Sequence, residues 1–231
     1  MSVIKVDRSS DVRADDLSTI AQVAKTCLSF GSPRTILAVV AVAAIVRIAL
    51  GGYGWFDLVV VVATLVLTGP IEWVIHRGLL HAPEDSTRMV KFHTGSGHRE
   101  HHLDPNNVGW ALLSWQDALV FSIMLTGWSA LWSLPVAWAV GAPLLESFLS
   151  ATLLALLGLA HYEWTHLLVH TRYRPKTRYY KRIAKNHRLH HFRNEHHWLG
   201  VTSNLGDRIL GTLPENKSDV PLSETARNLD G

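Results

Sequence analysis

The chain has 231 residues, 48% of them hydrophobic, with 22 Lys and Arg against 19 Asp and Glu and a formal charge of +3. One cysteine excludes an internal disulfide and a thiolate-rich cluster. The length fits one domain with short tails, and the basic residues flank apolar spans without any nucleic-acid module, so no nucleic-acid partner is expected and anionic headgroups account for the charge.

Met1 to Asp16 is polar and mixed in charge, and residues 1–28 are read as a polar N-terminal tail. They lack the basic start, apolar core and small-residue cleavage site of a signal peptide. Cys27 is expected as a small apolar residue where the first span begins. Four apolar stretches follow, roughly 34–51, 56–75, 112–133 and 144–165, each approaching the ~20 residues that cross a bilayer core. Arg47 interrupts the first and must snorkel or face protein.

The turns at Gly51–Gly54 and Ser133–Pro143 carry no Lys or Arg, whereas four lie between Arg77 and Gly109 and nine between Arg172 and Arg193. The positive excess belongs in the cytoplasm. The expected fold is therefore an all-α integral membrane protein. Four transmembrane helices form two hairpins, and a helical cap on the cytoplasmic side carries the polar chemistry. The domain runs over 29–213, with a polar tail at 214–231, and both termini face the cytoplasm. A soluble all-helical protein with buried helices is the competing reading.

The cap holds the chemistry. Of 14 histidines, ten fall in paired boxes: His76 with His81; His98, His101 and His102; His166 with His170; His187, His190 and His191. Neutral imidazole binds divalent transition metals. Spacings of three and four put rings on one helix face, so each His-x-x-His-His box can reach a common centre. His76 and His81 are five apart, about 140° around an ideal helix, and need a helix end or a bulge to converge. Ten ligands suit two ions, a dimetal site. No histidine is needed as a separate acid or base. Metal-bound imidazole hands its other N–H to a carboxylate, carbonyl or water. Glu72, Asp104 and Glu163 are the acidic residues placed for that role, with Asp207 and Asn194 as weaker candidates. His161 offers an alternative pairing with His166, while His93, His196 and His197 fall outside the boxes.

From about Glu72 to Gly211 these residues resemble the fatty acid hydroxylase superfamily of membrane di-iron enzymes. The specific parts are His76-x4-His81, His98-x2-His101-His102, Tyr162-Glu163-Trp164-Thr165-His166-x3-His170 and His187-x2-His190-His191. The run Leu199-Gly200-Val201-Thr202-Ser203 before Gly206-Asp207 is also similar to the family's segment. The resemblance favours His170 over His161 in the third box. It implies two iron ions, with zinc as a substitute, O2 as co-substrate, and a lipid taken from the bilayer. Eukaryotic relatives often carry an attached cytochrome b5 domain, and none is expected here. Electrons are then expected from a separate ferredoxin, cytochrome b5-like protein or reductase.

The implied activity is hydroxylation, or desaturation, of a lipid C–H bond, with a fatty acid or acyl lipid as the leading substrate. A carotenoid or sterol oxidase on the same scaffold is the first alternative, since Leu168-Val169-His170-Thr171-Arg172 has some look of carotenoid hydroxylases. A membrane metal transporter is the second. Transport would need ligands near the bilayer midplane, and these histidines sit at span ends. Trp110, Trp115, Trp128, Trp132 and Trp138 read as an aromatic belt for the most part, with a lipid entry as the other use.

Overall fold

The structure, a computed structural model, describes residues 10–82, 95–227 and 229. Among these there is no β-strand, only one isolated bridge between Arg13 and Asn107. Four helical stretches are long and apolar enough to cross a membrane: Gly31–Leu50, Trp55–Leu80, Val108–Ala139 and Leu144–His170. Their long helices are α2 (Gly31–Leu50), α3 (Trp55–Ile75), α6 (Trp115–Ala139) and α7 (Leu144–His170), with short α5 (Val108–Ala111) leading into α6.

These helices are inverted relative to a soluble bundle. Large apolar side chains point outward, as in Leu65 (69% exposed), Ile123 (71%) and Leu131 (73%). Small residues face inward: Ser122, Ser129 and Ala137 on α6, and Ser147, Ser150 and Ala151 on α7. Lipid replaces water as the solvent for the large side chains, and small residues let helix backbones approach closely. Ser122 and Ser129 satisfy their hydroxyls on carbonyls one turn back, at 2.7 and 2.8 Å.

α7 is the central post, with α2 and α6 packed on one side of it and α3 on another. The first hairpin thus straddles α7. At the end remote from the histidines, buried Arg47 faces protein rather than lipid. It donates to Ser150 Oγ at 2.7 Å, to Asp57 Oδ1 at 2.8 Å and to the Gly51 carbonyl, and lies over the Tyr53 ring. This ties α2, α3 and α7 together. Arg47→Met leaves Asp57 without its cation, and we expect a loss of about 3 kcal/mol, seen as a lowered unfolding midpoint in detergent. An unchanged midpoint would contradict this role.

The structure differs from the expected tails. α1 (Ile20–Ser29) is a helix started by a reciprocal cap between Thr19 and Gln22. Its Val23 and Cys27, one turn apart, are buried against Val108, Leu112, Leu167 and Leu168. Burial pushes the Cys27 thiol up to about 12, so it is an inert packing group. The C-terminal stretch is fastened as well: Val220 and Ala226 are buried, and Arg193 Nε donates to the Val220 carbonyl at 2.9 Å.

The remaining helices are α4 (Gly95–Leu103), α8 (Arg178–Phe192) and α9 (Leu205–Ile209). α9 sits against α3 through two glycines. A Cβ on Gly206 would lie 2.5 Å from the Gly69 carbonyl oxygen and 2.7 Å from Trp73 Cβ. Only glycine permits that approach, which fixes the loop between α8 and α9 over the end of α3.

Candidate metal centre

Beyond Ile75 the backbone of α3 widens into a π turn over His76–Leu80, closed by His81 N–H donating to the His76 carbonyl at 3.0 Å. An i to i+5 bond stacks residues five apart. The His76 and His81 rings accordingly lie 4.8 Å apart, centroid to centroid. This is the bulge their spacing required. α4 carries His98, His101 and His102, and the last turn of α7 carries His166 and His170. α8, capped by Thr177, turns His187, His190 and His191 inward with Ile183.

All ten box histidines converge, in two groups of five. His76, His81, His98, His102 and His190 form one, and His101, His166, His170, His187 and His191 the other, with the offered nitrogens of each group within 4.8 Å of one another. The expectation of one centre per His-x-x-His-His box needs correction. α4 gives His98 and His102 to the first group and His101 to the second; α8 gives His190 to the first and His187 and His191 to the second. Adjacent residues diverge by about 100° around a helix, so neighbouring histidines straddle the inward stripe and face different centres. The stacked His102 and His191 rings, 4.1 Å apart, bring the two groups into contact.

The nitrogen distances fit metal coordination better than hydrogen bonding. His98 Nε2 lies 3.1 Å from both His76 Nε2 and His81 Nε2. His170 Nε2 lies 3.0 Å from His101 Nε2 and 2.8 Å from His187 Nε2, which is 3.0 Å from His191 Nε2. A ring nitrogen has one in-plane position, holding either a proton or a lone pair, and cannot make a full bond to each of two neighbours. One cation can satisfy them all. With nitrogens about 2.1 Å from an ion, adjacent corners stand about 3.0 Å apart and opposite corners about 4.2 Å. The measured separations of 2.8 to 3.1 Å match adjacent corners.

Four rings are oriented by backbone carbonyls. His76 Nδ1 donates to Leu199 O at 2.5 Å, His102 to Ala226 O at 2.7 Å, His166 to Ala111 O at 2.7 Å and His190 to His197 O at 3.0 Å. Each such bond puts the proton on Nδ1 and leaves a lone pair on Nε2. In His102, His166 and His190 that Nε2 is buried without any hydrogen-bond partner, an arrangement that is costly unless a ligand completes it. Burial, reinforced by neighbouring rings, holds His98, His101, His187, His190 and His191 well below the ordinary imidazole value, and His102 at about 3. The rings are neutral, as ligands must be.

The acidic residues expected beside the histidines act one step further out. Glu72 accepts from the backbone N–H groups of Val201 and Thr202, at 2.8 Å for Thr202, and from the Thr202 hydroxyl. Asp207 accepts from Leu199 N and Gly200 N, each at 2.8 Å. Both hold the loop whose Leu199 carbonyl orients His76. Glu163 accepts from Ser32 Oγ at 2.5 Å and Leu113 N at 3.2 Å, near the Ala111 carbonyl that orients His166. Asp104 is bound by Arg13 at 2.7 and 2.9 Å, which holds its carboxyl below the usual range. Asn194 ties the loop at His196 and His197 to the Pro221 carbonyl.

His161 is exposed and stacks on Tyr179, outside both groups. His196 Nδ1 meets Arg77 at 2.8 Å, and His197 serves through its carbonyl. His93 lies outside the described residues. The carbonyls of Ala111, His197, Leu199 and Ala226 were missed from sequence, because a backbone acceptor carries no residue signature.

An open cleft between α3, α6 and α7 ends at His76 and Tyr162. Leu67, Ile71, Phe121, Leu125, Trp128 and Trp132 make its walls mostly apolar. Trp128 and Trp132 thus line the cleft, whereas Trp115 (53% exposed) and Trp138 (78%) face outward at the helix ends.

Residues 58–212 match the family model described as fatty acid hydroxylase. Two dihydroceramide fatty acyl 2-hydroxylases of Arabidopsis thaliana are each 40% identical to the chain, over 63 and 65 residues. Each match takes in 27% of this chain and 26% of the relative. The chain thus spans about a quarter of the length of the curated relatives it matches. The solved structure titled "Full length scs7p (only hydroxylase domain visible)" superposes with a TM-score of 0.60 at 21% identity, covering 84% of this chain and 68% of that one. That likeness is one of fold.

Proposed function

The chain belongs to the fatty acid hydroxylase family, and from that membership we propose that it is a membrane di-iron oxygenase acting on an acyl chain drawn from the bilayer. The observation that carries this reading is the apolar cleft ending on His76, a member of the first histidine group. A flexible hydrocarbon chain fits such a cleft, and the metal-bearing end is where one of its carbons would be presented. Carbon 2 is the proposed position, supported by the acyl 2-hydroxylase names of the two plant relatives.

The ten histidines are proposed as ligands, five to each ion. Iron suits the proposed chemistry better than zinc, which binds imidazole more tightly than ferrous iron does but has no redox chemistry. When bound, two iron ions would supply the activation of dioxygen and the removal of hydrogen from an unreactive C–H bond. The chain's own residues do the rest. The four carbonyls fix ring orientation and tautomer, so that Nε2 lone pairs point inward. The buried rings and the apolar walls of the cleft exclude water, and those walls hold the reacting carbon near His76. Electrons come from a separate protein on the aqueous side. The cationic stretch from Arg172 to Arg193 supports a cytoplasmic location for that side.

Cells expressing the chain and supplied with labelled fatty acids, a sterol or a carotene decide among the family's substrates. The expected product is a 2-hydroxy acyl group found by mass spectrometry of the lipids. Oxidised sterol or carotene, with unmodified acyl chains, would overturn the acyl reading.

A further inference from the structure

The cleft has a floor. Its deepest residue on α6 is Trp132, half-buried, which also packs on the cluster of Phe56, Val60, Ala137 and Ala151 that closes the bundle away from the histidines. Across from it, Thr64 is the deepest cleft residue on α3, and Val60, one turn further on, already belongs to the closing cluster. Side chains on a helix lean toward its N-terminus. α6 runs away from the metal centre, so the Trp132 indole leans back up the cleft toward it.

The depth follows from α3. Twelve residues separate Thr64 from His76, about 18 Å at 1.5 Å per residue. With C–C bonds of about 1.5 Å at tetrahedral angles, an extended chain advances about 1.3 Å per carbon, so about 14 carbons span that depth. Part-way up, Gly158 on α7 faces Thr68 on α3, where an added Cβ would lie 4.0 Å from Thr68 Cγ2. The cleft is open at that level because position 158 has no side chain.

We propose that Trp132 is the chain-length ruler of this enzyme. It stops the methyl end of an acyl chain whose reacting carbon sits at the histidine cluster. The inference rests on the acyl 2-hydroxylase reading above. With two carbons at or beyond the metals, it selects saturated chains of about 16 carbons.

The test feeds a ladder of even-numbered saturated fatty acids, about 12 to about 20 carbons long, to cells expressing the full chain. The 2-hydroxy products are then resolved by length. In the unaltered protein, product should peak near about 16 carbons. Trp132→Ala lowers the floor by about one turn and should move the peak up by about four carbons, whereas Gly158→Leu raises it and should move the peak down by about four. A variant that is merely damaged loses all lengths together and leaves their ratio unmoved. That result in both variants overturns the ruler. If Trp132→Ala fails to accumulate, Trp132→Leu takes its place, and an unmoved product ratio in that variant overturns the ruler. Absence of hydroxylated acyl product at every length from the unaltered chain overturns the hydroxylase reading itself, and the ruler with it.

Discussion

Acyl hydroxylation should fall at least about 100-fold in His101→Ala. Losing only an outer partner of a metal ligand costs 10- to 100-fold, and this change removes the ring itself. His101 is fully buried and meets His170 at 3.0 Å, so no nearby group can swing in to replace it. The scaffold should survive, because burial of four spans in lipid holds it without the metals. The control is His161→Ala: an exposed ring outside both groups, whose loss should change activity by no more than about twofold. Hydroxylation at matched membrane expression reads both. Activity retained in His101→Ala would contradict the assignment of its group.

A chain ending at Asp219 should also lose activity, for a different reason. The removed segment carries the Ala226 carbonyl that orients His102, and Ser223 and Thr225, whose hydroxyls bind buried Glu195 at 3.1 and 2.5 Å. No side-chain substitution can delete that carbonyl, so truncation is the direct test. His102 belongs to the first group alone, whose ion should therefore be lost while the second is kept. Metal content should fall from two ions per chain to about one, with hydroxylation down at least about tenfold. Two ions retained with full activity would show that the segment only covers the surface.

The spans and the boxes are legible in sequence because hydropathy and residue spacing are local properties. Even the π turn is foreshadowed, since two histidines five apart cannot meet on an ideal α-helix. What the spacing cannot reveal is the division of each His-x-x-His-His box between two centres, which depends on how α4 and α8 are set against each other. Carbonyl anchors such as Ala226 are invisible for the reason that every residue has one. Asp104 looks like a partner for His102 two residues away, yet pairs with Arg13 across 91 positions of chain. α1 is hidden in a segment read whole as a polar tail, although Val23 and Cys27 carry the one-turn spacing of a buried face. Tails read as loose on composition are fastened here by long-range contacts that composition does not encode.

The iron content of the purified full-length chain tests the central claim most directly. Expressed with ample iron, extracted in mild detergent and measured by elemental mass spectrometry against protein concentration, it should hold two iron ions per chain, one for each group of five histidines. A preparation that turns over acyl substrate while holding one ion per chain, or none, would contradict the dimetal account.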